Sequence, residues 1–285
     1  MFLYFRQRQL IYRPAPELSL LPSTPDFDMP YQDVWIAIGN DQIHSWWIPA
    51  DESQRFSVLD NEPAHVLSQP KVMLYFCGVG NNMGDYNYLS RAAAFRQLGF
   101  SVLMFDYRGY GRSEGDFPHE AQLYADSEAV WAYLRNERGV AAEDILIYGE
   151  SMGGAIALNL AINHPDASGL IMQSSFTSMA AAIKHRPLAS LFPIDGILHE
   201  AFNSIDKIEH LKMPVLFIHG TEDSVVPVSL SQALYEKAPA AKQLARIPNA
   251  DHVSIYRPEA SYFKTIDQFV RDVIGQDVTV RDVVQ

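Results

Sequence analysis

The sequence holds a single cysteine, Cys77, so it has no internal disulfide and no multi-cysteine metal site. That usage fits a reducing compartment, and a cytoplasmic location is the expectation. Basic residues are also scarce: 22 Lys and Arg stand against 34 Asp and Glu, a net charge of -12. Nucleic acid is thereby a poor partner, because its binding rests on cations that neutralise phosphates. No apolar run approaches the roughly 18 residues that suggest a membrane span. Internal repeats and low-complexity tracts are missing, and the histidines show no H-x-x-x-H spacing, so no metal is expected.

The beginning, MFLYFRQRQLIYRP, puts apolar residues ahead of arginines, the reverse of a signal peptide. Its apolar run from Phe2 to Phe5 is too short for one. Two readings of this N-terminal arm (residues 1–29) stand side by side. An aromatic cluster beside Arg6, Arg8 and Arg13 can graze an anionic membrane, making the protein peripherally membrane-associated. Alternatively the arm packs on the domain as an ordinary terminal segment.

What is present is a globular composition, 48% apolar and 20% charged, in a chain long enough to bury a large core. A single domain over residues 1–285 is expected. The strand candidates DVWIAI and IHSWWI flank the turn GND as a hairpin would. A polar connector from Pro49 to Pro70 follows, long for a loop in a compact domain. From Lys71 onward, KVMLYFC, FSVLMFD, DILIYG, GLIMQS, PVLFIH and KQLARIP read as short buried strands. Helical stretches such as DYNYLSRAAAFRQLG and MGGAIALNLAINHP lie between most of them. That alternation predicts a mostly parallel sheet of about eight strands with helices on both faces. Working residues then belong at the carboxyl ends of the strands. The alternation breaks between residues 174 and 213, where a helical piece interrupted by Pro187 and Pro193 suggests a short lid. A plain crossover with a broken helix is the alternative.

The stretch YFCGVGNNMGD invites a dinucleotide reading, since Gly78 and Gly80 follow a strand. The fingerprint G-x-G-x-x-G needs its third glycine where Met83 stands, and methionine would obstruct helix–strand packing. A more specific signal is Gly149-Glu150-Ser151-Met152-Gly153, a G-x-S-x-G between a strand and a helix. In that setting the serine hydroxyl projects above the sheet beside the helix N-terminus, as a nucleophile must. A serine needs a base, and the base needs an orienting group. Asp223 lies just past PVLFIHG, and His252 is the only histidine beyond it; both fall in strand-end loops on the side of Ser151. Glu222 is a rival for Asp223 that should point elsewhere, Asp251 adjoins His252, and His219 reads as a structural histidine.

Together YFCGVGNNMGDY, FDYRGYGRSEG, YGESMGG, SSFTS, PVLFIHGTEDSVVP and NADHVSIY resemble the α/β-hydrolase superfamily. Within it they look like the Bem46-like group, related to mammalian α/β-hydrolase domain-containing proteins 13 and 17. The resemblance runs from RQLIYRP to about Val273. It implies an α/β-hydrolase fold, Ser151 as nucleophile, Asp223 as acid, His252 as base, a lid after SSFTS and no cofactor. Two departures stand out: Cys77-Gly78 replaces a common His-Gly, and these residues include no counterpart of the membrane-spanning helix with which many such relatives begin. Either the protein is soluble or the sequence starts after an anchor, and MFLYFRQRQLIYRP suits either case.

The expected reaction is acyl transfer from a small or medium ester or thioester to water. The backbone N–H groups of Val79 and Met152 are expected to form the oxyanion hole, with Cys77, Gly78, Leu188 and Phe192 lining the site. Leu191, Ile197 and Leu198 extend an apolar lid that faces either an acyl chain or the domain. Protein depalmitoylation is the runner-up, and a catalytically idle scaffold is the reading from a different class.

Overall fold

The apolar runs singled out in the sequence become the eight strands of one sheet. A computed structural model describes residues 2–51, 71–186, 189–239, 241–253, 255 and 261–274. Most of the expected connector, residues 52–70, and Leu188 lie outside the described residues. The strands are β1 (Gln32–Ile38), β2 (Asp41–Ile48), β3 (Lys71–Phe76), β4 (Phe100–Phe105), β5 (Ile145–Glu150), β6 (Gly169–Gln173), β7 (Val215–Gly220) and β8 (Lys242–Ile247). The helices are α1 (Phe2–Ile11), α2 (Tyr86–Gln97), α3 (Glu120–Ala132), α4 (Met152–Asn163), α5 (Met179–Lys184), α6 (Ile194–Ile197), α7 (Ser204–Lys207), α8 (Val228–Lys237) and α9 (Ser261–Ile274).

The sheet order is β1-β2-β4-β3-β5-β6-β7-β8. The expected hairpin pairs β1 with β2, and β2 joins β4 antiparallel; every other neighbouring pair is parallel. Side chains alternate between two cores, as a period of two demands. Val72, Leu74 and Phe76 of β3 pack with Ile156 of α4, Leu123 of α3 and Leu234 of α8. Met73 and Tyr75 face the opposite layer, with Leu89 and Phe95 of α2 and Ile266 and Phe269 of α9. Helix α4 is buried on nearly every side, which its GGAIALNLA composition permits.

The order of the strands reverses direction at β3 and β5: the chain leaves β3 toward one edge and returns at β5 to build the other. A crevice opens beyond the carboxyl ends of two strands where their connections diverge in this way. The segment between β6 and β7 is partly the expected insertion and partly a crossover. Helix α7 packs against α4 and α8, as a crossover helix would, while α5 and α6 pack on each other. Ser178 caps α5, its side chain accepting the Ala181 N–H.

Candidate active site

Ser151 stands between β5 and α4, at the N-cap of the helix, with φ 53° and ψ -121°, a backbone that a residue with a Cβ adopts only under constraint. Two neighbouring glycines make the turn sterically feasible. A Cβ on Gly149 would lie 2.4 Å from the Gly153 carbonyl oxygen, and one on Gly153 would lie 2.3 Å from that of Phe76. Hydrogen bonds then lock the serine backbone. Its N–H donates to the Gln173 carbonyl (2.8 Å), and its carbonyl accepts from the Ser175 hydroxyl (2.9 Å). Ser174, just past β6, is also at positive φ (47°).

Asp223 follows β7 and is buried, with Oδ1 accepting the N–H groups of Val225 (2.9 Å) and Val226 (2.8 Å). Its Oδ2 sits 2.6 Å from Nδ1 of His252, in the loop after β8. Burial on its own would raise the Asp223 carboxyl. Hydrogen bonds from His219 and His252, with the His252 charge and the Val226 N–H, outweigh it and hold the group well below the usual carboxylate range. Glu222 is exposed, as expected from its place one residue along. Asp251 turns an oxygen to the Val253 N–H (2.8 Å).

His219 is a satisfied buried histidine, yet it is also a neighbour of the acid. Its Nε2 lies 2.7 Å from the Val226 carbonyl and 3.2 Å from Asp223 Oδ2. A carbonyl can only accept, so Nε2 is a donor there, while Nδ1 lies 2.7 Å from the Ser231 hydroxyl, which also reaches the Ser175 carbonyl (3.3 Å). The signal for this contact was in the sequence: a strand-end histidine four residues ahead of a strand-end acid.

The loop after β3 is anchored from three sides. Tyr107 donates to the Cys77 carbonyl (3.1 Å), Tyr110 to that of Val79 (3.0 Å), and the Met83 N–H donates to Asp106 Oδ1 (2.7 Å). The N-terminal arm supplies the fourth anchor. Arg13 N–H meets the Val79 carbonyl (3.2 Å), and the Asn82 amide donates to the carbonyls of Ala15 (2.9 Å) and Glu17 (2.6 Å). Burial pushes the Asp106 carboxyl up to about 7, against the opposing Met83 N–H.

A cavity of about 720 Å3 lies over these strand ends. Ser151, His252, Gly78, Val79, Met152 and Phe192 all line it, so most of the expected site residues converge there. Cys77 does not. Its side chain is turned under the loop into the layer shared with Met83 and Tyr88, and burial raises its thiol well above the ordinary value. The period of two explains this: Phe76 and Gly78 flank it on the opposite side. Of the other lid residues, Ile197 and Leu198 line the cavity, and Leu191 is exposed.

A buried ion pair that sequence reasoning missed completes the wall. Arg91 of α2 meets Glu150, the residue before the serine, at 2.5 Å. Gln173 also donates to this carboxylate (3.4 Å), and Arg91 Nε donates to Tyr75 (2.8 Å). Burial raises the Glu150 carboxyl, while Arg91 and then His252 oppose that rise. Among the described residues, no cluster of three His, Cys, Asp or Glu could hold a metal ion, and no helix is long and apolar enough to cross a membrane.

Comparison with known proteins places this geometry among relatives. The family model described as serine aminopeptidase S33 (Hydrolase_4) matches residues 68–206 and 194–259. An uncharacterized protein of Mycobacterium tuberculosis strain H37Rv is 32% identical over 259 residues, covering 88% of this chain and 82% of that protein. The human alpha/beta hydrolase domain-containing protein 17C is 36% identical over 182 residues, 61% of this chain and 50% of its own length. Among solved structures, an esterase of Pyrococcus furiosus superposes with a TM-score of 0.72 at 19% identity, over 93% of this chain and 98% of that one. At that identity the likeness concerns the fold.

Proposed function

The chain belongs to the Hydrolase_4 family of α/β hydrolases, and from that premise we propose that it is a serine hydrolase of carboxylic esters or thioesters. One observation carries the reading. A strained serine at a helix N-terminus faces the same cavity as a histidine whose other ring nitrogen is bonded to a buried, ionised aspartate. With Nδ1–H engaged by Asp223, Nε2 of His252 is the nitrogen that takes the Ser151 proton as Oγ attacks the acyl carbonyl. The N–H of Met152, at the N-terminus of α4, and that of Val79 receive the oxyanion. Each such donor typically lowers the barrier by about 3–4 kcal/mol. His252 then protonates the leaving group, and the acyl-enzyme forms. A water deprotonated by the same nitrogen releases the acid and restores the serine.

The family's description names an aminopeptidase, but the apolar roof of the cavity favours an acyl chain over a peptide backbone. Hydrolysis of p-nitrophenyl esters and labelling by a fluorophosphonate probe test the proposal together. The parent protein should do both, and Ser151→Ala should do neither. Turnover and labelling that survive in Ser151→Ala would sink the assignment. Their absence from the parent at every chain length would favour an idle scaffold.

A further inference from the structure

Helix α1 stands furthest in sequence from the triad, yet it walls the same cavity. Gln7, Leu10 and Ile11 line it, and Arg13 follows just beyond the helix. The helix is fastened to the segment between β6 and β7 by polar contacts that leave little freedom. Gln7 is buried, its amide donating to the Ile197 carbonyl (3.2 Å) and accepting the His199 N–H (2.7 Å). The Tyr12 hydroxyl meets the buried carboxylate of Glu200, which also accepts the Glu120 N–H at the start of α3 (2.6 Å). Glu120 in turn receives the N–H groups of Ala201 (2.7 Å) and Phe202 (3.0 Å). The same cavity is also lined by Met179, Ile183, Phe192, Ile194 and Leu198.

We propose that α1 and the helices α5 and α6 wall an acyl-chain channel, and that Leu10 and Ile11 set the chain length it accepts. The inference rests on the hydrolase reading above. Consecutive helical residues point about 100° apart, so the two side chains take different stations. Leu10 is 58% exposed while lining the cavity, which puts it at the mouth. Ile11 is half-buried against the core, which puts it deeper. The substrate is then an ester or thioester with a flexible apolar chain. Each methylene that reaches these walls should raise kcat/KM about fourfold, the factor that corresponds to burying one methylene.

The test compares p-nitrophenyl butyrate with p-nitrophenyl laurate on the full chain and on three variants. Leu10→Trp should lower the laurate-to-butyrate ratio of kcat/KM by about tenfold or more. Ile11→Ala should raise the same ratio, moving the preference toward the longer chain. Gln9→Trp, exposed on the same helix and outside the cavity, should keep the parent ratio. A ratio unmoved by Leu10→Trp and Ile11→Ala, or both esters slowed by one common factor, overturns the proposal. Fluorophosphonate labelling separates the two levels. Labelling and turnover that persist with an unmoved ratio refute only the role of α1. A parent that neither labels nor turns over refutes the hydrolase reading, and the channel falls with it.

Discussion

On the sheet side of the cavity, Ser151 is tied by its own N–H to the end of β6, and Asp223 by the N–H groups of its loop. The Cys77–Met83 loop is tied by Tyr107, Tyr110 and Asp106 from just past β4. The roof is held from farther away in the chain, by side chains such as Gln7, Glu120 and Glu200 that reach across to backbone N–H groups of other elements. The sheet side contains the strained φ of Ser151, a buried ion pair and glycines with no room for a Cβ. The roof contains short helices and apolar side chains that are half in solvent, Leu10 and Phe192 among them. Chemistry needs atoms fixed to fractions of an ångström, which a parallel sheet supplies. Selection of a chain needs only apolar surface of the right reach, and that tolerates softer construction.

Substitutions should separate the two regions by the size of their effect. The largest belongs to Gly153→Ala, whose Cβ would meet the carbonyl oxygens of Phe76 at 2.3 Å and Cys77 at 2.6 Å. Both are backbone atoms of the central strand end and cannot yield. Urea unfolding should register a loss of about 3 kcal/mol or more, with esterase activity falling too. A fully stable Gly153→Ala protein would contradict the packing of α4 on β3.

The next effect is one of pH. Asp106 holds its proton in the folded state up to about 7, against 3.8 for an ordinary aspartate, because burial disfavours the charge. Its Oδ2 has no hydrogen-bond partner among the described residues and lies 1.9 Å from where a Cβ on Gly111 would be. Between pH 3.8 and about 7 the unfolded chain has lost a proton that the folded one keeps. The Asp106 contribution to stability therefore falls as pH rises from about 4 to about 7, with a slope of at most roughly 1.4 kcal/mol for each pH step of one. Asp106→Asn should remove that slope when unfolding midpoints are compared at about pH 4.5 and about pH 8, either side of most of this window. Equal slopes in parent and variant would mean that the carboxyl is not the titrating group.

The smallest effect on stability belongs to the roof. Phe192→Ala, at a side chain 44% exposed, should change unfolding free energy by no more than about 0.5 kcal/mol. Its signature should be weaker hydrolysis of long-chain esters. A loss comparable to that of Gly153→Ala would erase the contrast between the two regions.

All eight strands were legible as apolar runs of the right length, and the hairpin as two such runs around a glycine turn. The serine turn was legible because its glycines must sit beside it in the chain. Asp223 and His252 were legible as the acid and histidine that end successive strand-and-loop units. Cys77 was misplaced, because its position in a loop hid which way the alternation of β3 would point it. The Arg91–Glu150 pair was invisible, since α2 and β5 lie far apart in the chain and nothing local to either residue announces the other. The arm was readable only as two options, packed or membrane-bound, and neither placed a helix over the cavity.

Local rules account for the sheet and for the strained serine, since backbone sterics and a period of two act between neighbours. The roof obeys no such rule. Gln7 bonds to Ile197, 190 positions away, and that contact exists only after the sheet has brought the loop after β3 and the segment between β6 and β7 to the same end and left an apolar crevice there to be covered. Which segment covers it depends on the shape and the unpaired polar groups of an assembled surface, and no stretch of sequence contains that surface.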